Sequence, residues 1–350
     1  MNTHTTRAFT RLKWSTPRRN VQTKAKTPRT QPSRRRAPPT RPPSSEPETV
    51  YTRHPNYKGP TMSPRLMTFL GISVLGISSY CGFLYASYTR EVTKSQALTI
   101  PTDVSNRYNT SAPSFDAEVD LAEKAMRLGS KRKDLISRVH GDVLEVSCGT
   151  GRNLEYYELG ERRGVDSNGR AAVLGCRSLT LVDLSPQMVQ IAEEKFKSLH
   201  GGDGEVAAPV PVTFRAQDAA SVTVESTSHT SHGTGIEGKK LKAYDTIVQT
   251  MGVCSMSDPV GTLRHLGSIT EKENGRILLL EHGRSYYDWL NRILDNLAPA
   301  HADRHGCWWN RDIGAIVRES GLEVVEEKRW HFGTTWRFVL RPKQDGDQNS

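Results

Sequence analysis

The tightest constraint on this chain is the stretch Asp142-Val-Leu-Glu-Val-Ser-Cys-Gly-Thr-Gly-Arg-Asn-Leu154. Val143, Leu144 and Val146 predict a short buried strand, Gly149 and Gly151 a tight turn, and Asn153 the start of a helix. Glycine lets a backbone turn sharply and approach a ligand without a Cβ in the way. Glu145, near the strand's end, is expected to point toward the same crevice. A strand, a Gly-x-Gly turn and a helix in that order place a nucleotide-type pocket at the carboxyl edge of a parallel sheet. A dinucleotide fingerprint asks for a small residue three positions after the second glycine. Leu154 stands there, and Ser147 holds the place of a first glycine, which counts against a pyrophosphate site. On this stretch alone, a plain strand-to-helix turn is the alternative reading.

The chain downstream repeats the pattern. Residues 178–186 predict a second strand ending in Asp183, where a carboxylate can accept two ribose hydroxyl hydrogen bonds. Asp183 follows Gly151 by 32 residues rather than ~20, an excess that fits if the polar segment 160–175 loops out as a surface insertion. Ser185 is placed to cap the following helix. Residues 210–216 predict a third strand leading to Asp218, residues 243–250 a fourth, and residues 275–283 a fifth ending in Glu281-His282-Gly283. Helices are expected over 115–128, 133–140, 154–159 and 312–320, and two last strands over 322–328 and 334–341. Alternating strands and helices imply an α/β, doubly wound, mostly parallel sheet.

His282, at the carboxyl end of its strand, is the candidate to remove a proton from an acceptor; a histidine bonded within the turn fits the same position. Tyr286, Tyr287, Trp289, Ile293 and Leu297 would form the apolar face of either a lid helix or a core helix. His301, His305 and Cys307 have the spacing of metal ligands, but no metal is expected here. The five cysteines are dispersed without a Cys-x-x-Cys pair, which argues for reduced thiols.

Charge divides the chain. Residues 1–45 hold twelve Lys or Arg and no acid; removing them from the net +10 leaves −2 for the remainder, so the high pI says nothing of a basic face on the folded part. Nucleic acid is therefore not an expected partner. An Arg-rich, Ser/Thr-rich, acid-free start has the character of a mitochondrial transit peptide, with a disordered basic tail as the other reading. Residues 66–88 carry no charge and just reach the ~20 apolar residues that cross a hydrocarbon core. Arg65 and Arg90 bracket them, and Tyr80, Tyr85 and Tyr88 lie toward one interface. The expected plan is a basic arm over 1–45, a linker over 46–65 and a transmembrane helix over 66–88. A second linker over 89–113, a catalytic domain over 114–342 and a polar tail over 343–350 follow. Arg53, Lys58 and Arg65 favour holding the N-terminal flank in the matrix, so that the domain faces the intermembrane space.

The turn Glu145-x-x-x-Gly149-x-Gly151 resembles motif I of class I methyltransferases that use S-adenosylmethionine (AdoMet), and Asp183-x-Ser185-Pro186-x-Met188 resembles their motif II. The resemblance implies a Rossmann-like sheet of seven strands with an antiparallel last strand. It also implies that Glu145, Ser147, Gly149 and Gly151 cradle the methionine end of the cofactor, Asp183 the ribose and Asp218 the adenine amino group. Residues 144–157 and Gly306-Cys-Trp-Trp-Asn-Arg-Asp-Ile313, with the arm and span, resemble the fungal mitochondrial inner-membrane methyltransferase-like family founded on a multicopy suppressor of an Oxa insertase mutant. An Asn/Asp-Pro-Pro-Tyr signature after the fourth strand is missing, which counts against nucleobase or amide nitrogen as acceptor. What the resemblance implies is methyl transfer to a small membrane-accessible phenol or thiol; its alternative is a non-catalytic assembly or translation factor for respiratory complexes.

Overall fold

The computed structural model describes residues 62–165, 169–201, 208–224 and 243–343. The basic arm, most of the first linker, the Ser/Thr/Gly/His tract over 225–242 and all but the first residue of the polar tail lie outside the described residues.

The chain enters through a long helix, α1 (Pro64–Gln96). Its apolar window is not buried against the rest of the chain, and among the described residues it alone has the length and composition to cross a membrane. It runs past the apolar stretch, where Lys94 pairs with Glu91 at 2.8 Å and Thr93 donates to the Thr89 carbonyl. The expected linker over 89–113 is therefore largely helical, since α2 (Arg107–Ala125) begins soon after. Arg127, in the left-handed region at φ +50°, separates α2 from α3 (Leu128–Ile136).

The sheet follows the predicted alternation. Strands β1 (His140–Val146), β3 (Ala171–Asp183), β4 (Val212–Ala216), β5 (Thr246–Thr250) and β6 (Arg276–His282) are mutually parallel, and β7 (Glu323–Trp330) and β8 (Thr335–Arg341) close the sheet antiparallel. The seven run in the order β4-β3-β1-β5-β6-β8-β7. The order reverses at β1, so the crevice outside the carboxyl ends of β1, β3 and β5 is where such sheets bind ligands.

Period-two burial divides the two faces. Leu144, Val146, Ile277 and Leu279 face a core completed by α5 (Pro259–Ile269) and α7 (Ile313–Ser320). Val143, Leu278 and Leu280 face the other core, under α3 and α4 (Pro186–His200). Strands covered on both sides read as unbroken apolar runs. Glu145 shares its parity with Val143, so the alternation itself carries its carboxylate into the second core.

Two expectations change. The expected surface insertion over 160–175 is present, but it is not a plain loop: β2 (Arg162–Val165) folds back on Ala171–Leu174 and lengthens β3 into an exposed antiparallel hairpin beyond the parallel sheet. Backbone bonds at Gly160 and Cys176 stitch its base, and left-handed Gly175 packs on the Gly160 carbonyl. The helix expected from Asn153 through 159 is a single 3-10 turn, Leu154–Tyr156. Leu154 turns back onto Gly151, and Tyr157 goes extended so that its hydroxyl meets Glu145. Those two side-chain contacts fix a geometry that a continuing α-helix would break.

Candidate active site

The elbow between β1 and the 3-10 turn is built from left-handed residues: Ser147 at φ +54°, Gly149 at +55° and Gly151 at +74°. Its two glycines serve different ends. A Cβ on Gly149 would meet nothing within 4 Å, whereas one on Gly151 would come 2.4 Å from Leu154 Cδ1 and 3.2 Å from Ala192 Cβ. Gly149→Ala should therefore lose only the left-handed penalty, roughly 1–2 kcal/mol. Gly151→Ala should lose clearly more, because Leu154 and α4 must move. Thermal melts of the two variants check this; equal losses would refute the division.

Asp183 closes the elbow from the side. Its carboxylate accepts the Gly149 N–H and the Ser185 N–H, both at 2.9 Å. Burial raises its pKa, and these two donors hold part of that rise back. Ser185 in turn caps α4 by accepting the Met188 N–H. One half-buried carboxylate thus joins the elbow to the second strand, and its acceptor oxygens stand at the mouth of the crevice.

Glu145 does not point into the crevice as expected: its carboxylate is buried behind the elbow, because its place in the strand alternation turns it into the core. Its two oxygens accept from Asn153 Nδ2 at 2.9 Å and Tyr157 OH at 2.7 Å. Burial drives its pKa up to about 7, against the downward pull of those two hydrogen bonds and of Arg132. Ser147 packs against Gly252, where a Cβ would strike Ser147 and Gln249. Asp218 lies further along the edge, past β4, and its carboxylate accepts the Ala220 N–H at 2.9 Å. The structure therefore brings Ser147, Gly149, Gly151 and Asp183 to one edge, with Glu145 supporting them from within and Asp218 at the far rim.

Above the edge sits α2. Its acids Asp116, Asp120 and Glu123 share one helix face and grip Arg152 of the elbow at 2.8–2.9 Å. Asp116 also takes Thr150 Oγ1 and Lys195 Nζ. The Tyr108 hydroxyl meets Ser255 Oγ at 2.8 Å. Burial, then the charges of Cys254, Cys307 and Asp183, raise the Tyr108 pKa. Two cavities flank this roof: one of 520 Å³ between α2, α3 and α4, and one of 410 Å³ between α2, Thr150 and the start of α4. Neither is lined by Asp183 or His282.

His282 closes β6 with Nε2 at 2.8 Å from Cys307 Sγ, and Cys254 completes a cluster with them. Burial lowers the His282 pKa, but the charge of Cys254 more than reverses this. His301 and His305 do not join: His301 stacks on Trp309 at 3.9 Å, and burial drives its pKa down to about 3. Cys254, Tyr108 and Arg132 are site-forming residues that sequence reasoning missed. The only local trace was Cys254 lying just beyond the fourth strand.

The carboxyl edge fits AdoMet on four grounds. Gly149 leaves an open cradle. Asp183 offers acceptors to hydroxyl donors. The buried side-chain atoms of Gln249 and one Glu281 oxygen have no protein partner. The elbow carries no cationic cradle of the kind a pyrophosphate needs, since Arg152 is spent on α2.

The family described as methyltransferase domain matches residues 116–327. The mitochondrial methyltransferase OMS1 of Saccharomyces cerevisiae is 38% identical over 243 residues, 69% of this chain and 47% of that protein. The chain thus spans about half the length of the curated relative it matches. Among solved structures, the N-methyltransferase NodS of Bradyrhizobium japonicum is 12% identical with a TM-score of 0.42, covering 69% of this chain and all of that one. A SAM-dependent methyltransferase from Aquifex aeolicus is 13% identical with a TM-score of 0.40, covering 67% and 98%. With the family matched from α2 into β7, across the elbow and both strand-end carboxylates, this chain belongs to the methyltransferase domain family.

Proposed function

We propose that the protein is an AdoMet-dependent methyltransferase, anchored in the mitochondrial inner membrane by α1, that methylates a small membrane-accessible acceptor, a quinone-like phenol or a thiol. The observation that carries this reading is the Gly149–Asp183 junction, an open glycine cradle with a carboxylate across it. Bound there, AdoMet supplies the methyl group on a sulfonium that brings its own leaving group. The chain's part is to position and to exclude water. Asp183 holds hydroxyls, Ser147 and Gly149 lend backbone, Asp218 borders the rim, and α2 roofs the edge. The acceptor's proton is lost at the other end, beside His282.

Access from the bilayer is supported by the seat of α1 on α6 (Asp288–His305). Asn296 Nδ2 donates to Tyr88 OH at 2.9 Å, and the Ala300 N–H to Ser95 Oγ at 3.1 Å. With 88 opposite 296 and 95 opposite 300, the beginning of α6 lies toward the apolar part of α1. Tyr286, Tyr287, Trp289 and Phe332 cluster there, 48–66% exposed, with Arg329 over the Tyr286 ring at 3.9 Å. Amphipathic rings beside cations belong at the headgroup level of a membrane. The domain faces the intermembrane space in this reading, and the mitochondrial address of the OMS1 relative supports the compartment.

Calorimetry on the full chain in detergent tests the proposal. AdoMet should bind in the micromolar range, and Asp183→Ala should weaken it at least about tenfold, a loss of about 1.4 kcal/mol. Absence of binding in the wild type refutes the enzyme, and binding without turnover of any phenol or thiol acceptor favours a non-catalytic assembly factor.

A further inference from the structure

Three side chains from separate parts of the chain converge beside the crevice. Cys254 comes from the loop after β5, His282 from the end of β6 and Cys307 from just beyond α6; one donor atom of each lies within 4.8 Å of the other two. Both thiols are almost wholly buried. The strands around them are otherwise lined by Leu, Ile and Val, so packing alone does not call for two thiols and an imidazole at one point. The backbone also fixes the two cysteine segments to each other. The Trp308 N–H donates to the Cys254 carbonyl at 3.1 Å, and Arg311 Nη1 donates to the Val253 carbonyl at 3.2 Å.

We propose that Cys254, His282 and Cys307 bind a zinc-class divalent cation and leave its fourth position open to a thiol acceptor. Thiolate and imidazole donors select zinc over magnesium, calcium or manganese. Two thiolates balance the charge of the cation, so a buried site made of these three side chains is neutral. Two Cys and one His form a set with which zinc keeps an open position for water or substrate. Bonds of about 2.0–2.3 Å in a tetrahedron put donor atoms roughly 3.5 Å apart, so His282 Nε2 and Cys307 Sγ need only part by about 0.7 Å on loading. Ser255, with Oγ 3.5 Å from Cys254 Sγ, continues the cluster to Tyr108 and the α2 roof.

The cation site stands on these residues alone; the thiol acceptor rests on the methyltransferase reading above. An acceptor R–SH taking the fourth position gives up its proton beside His282, which as a ligand does not keep it, so the proton passes to solvent and the acceptor is held as R–S⁻. Formation of the new S–CH₃ bond uses that sulfur lone pair, and the sulfonium C–S bond breaks with its electrons returning to the departing thioether. The methylated product is a neutral thioether, a weaker ligand that water can displace.

The experiment uses the full chain purified in detergent without chelator, with metal measured by plasma mass spectrometry. Wild type should hold a single zinc ion per chain, and His282→Ala and Cys254→Ser should lose it. His282→Cys should keep it, since three thiolates still bind zinc, an outcome that mere loss of folding does not produce. Cobalt loaded in its place should show thiolate charge-transfer bands and visible bands of tetrahedral Co(II), and adding 2-mercaptoethanol should shift the visible bands. A wild type that takes up neither zinc nor cobalt overturns the site, and visible bands indifferent to the thiol overturn its open position. AdoMet calorimetry on the same samples keeps the two readings apart. AdoMet binding without metal sinks this inference alone, and metal without AdoMet binding sinks the proposed function.

Discussion

Replacing Arg132 with Met is expected to destabilise the protein by about 3–5 kcal/mol, the cost of breaking a buried ion pair from one side. Arg132 is 4% exposed and serves three elements from α3. Its Nη1 donates to Asn153 Oδ1 at 3.0 Å in the elbow and to Thr250 Oγ1 at 2.8 Å at the end of β5, and its Nη2 donates to Glu123 at 2.8 Å in α2. Methionine fills much of the volume but satisfies none of these acceptors, and buried acceptors left without donors are what make such losses large. At about 2–4 °C per kcal/mol for a domain of this size, the melting temperature should fall by roughly 10 °C. Arg132→Lys should recover only part of it, since an ammonium cannot span the three directions of the guanidinium fork. A Met variant that melts within a degree or two of wild type would show the three contacts to be energetically idle.

The second large effect is a pH dependence seated at Glu145. Its pKa is raised from 4.5 to about 7 by burial in the folded protein. The folded state therefore binds more protons than the unfolded chain between those values, and stability must fall as pH rises through that window. The stabilisation is complete below about pH 4.5 and gone above pH 7. A shift of that size corresponds to about 3 kcal/mol. Glu145→Gln keeps the shape and removes the titration, so stability of wild type relative to the Gln variant should drop by about that amount from acid to neutral pH. Thermal melts of both proteins across the window measure it, and two curves that run parallel would dispose of the idea. The two effects are linked: Arg132 pulls the folded-state Glu145 pKa down, so in the Met variant the fall in stability should run on to higher pH and be larger.

How much of this was legible beforehand depends on the range of the signal. The elbow, Asp183 and the capping Ser185 are local: a glycine turn and an acid at a strand's end announce themselves within a few residues, and the sheet follows from apolar runs broken at regular intervals. Residues 160–175 misled because polar composition reads as a loop, while a hairpin needs only backbone pairing and a left-handed glycine at its base. The 3-10 turn after the elbow was hidden for another reason. Helical continuation there is lost to the pull of Glu145 on Asn153 and Tyr157, a contact that exists only once β1 is buried. Arg132 and the Cys254–His282–Cys307 cluster are products of tertiary structure altogether, since their partners come from elements far apart in sequence. His282 and Cys307 stood out in the chain, each for another reason and not as partners; Cys254 did not.

The hydrogen bonds that Tyr88 and Ser95 make to α6 remove a swivel. A peripheral enzyme on a slack tether tumbles above its membrane and meets the surface at random angles. If α1 is the membrane anchor proposed above, its last turns are pinned to the body they carry, and rotation about the membrane normal is the main freedom left. Under that proposal, every encounter with a lipid-dissolved acceptor would present the same face at the same height, and the search for it would be reduced from three dimensions to two.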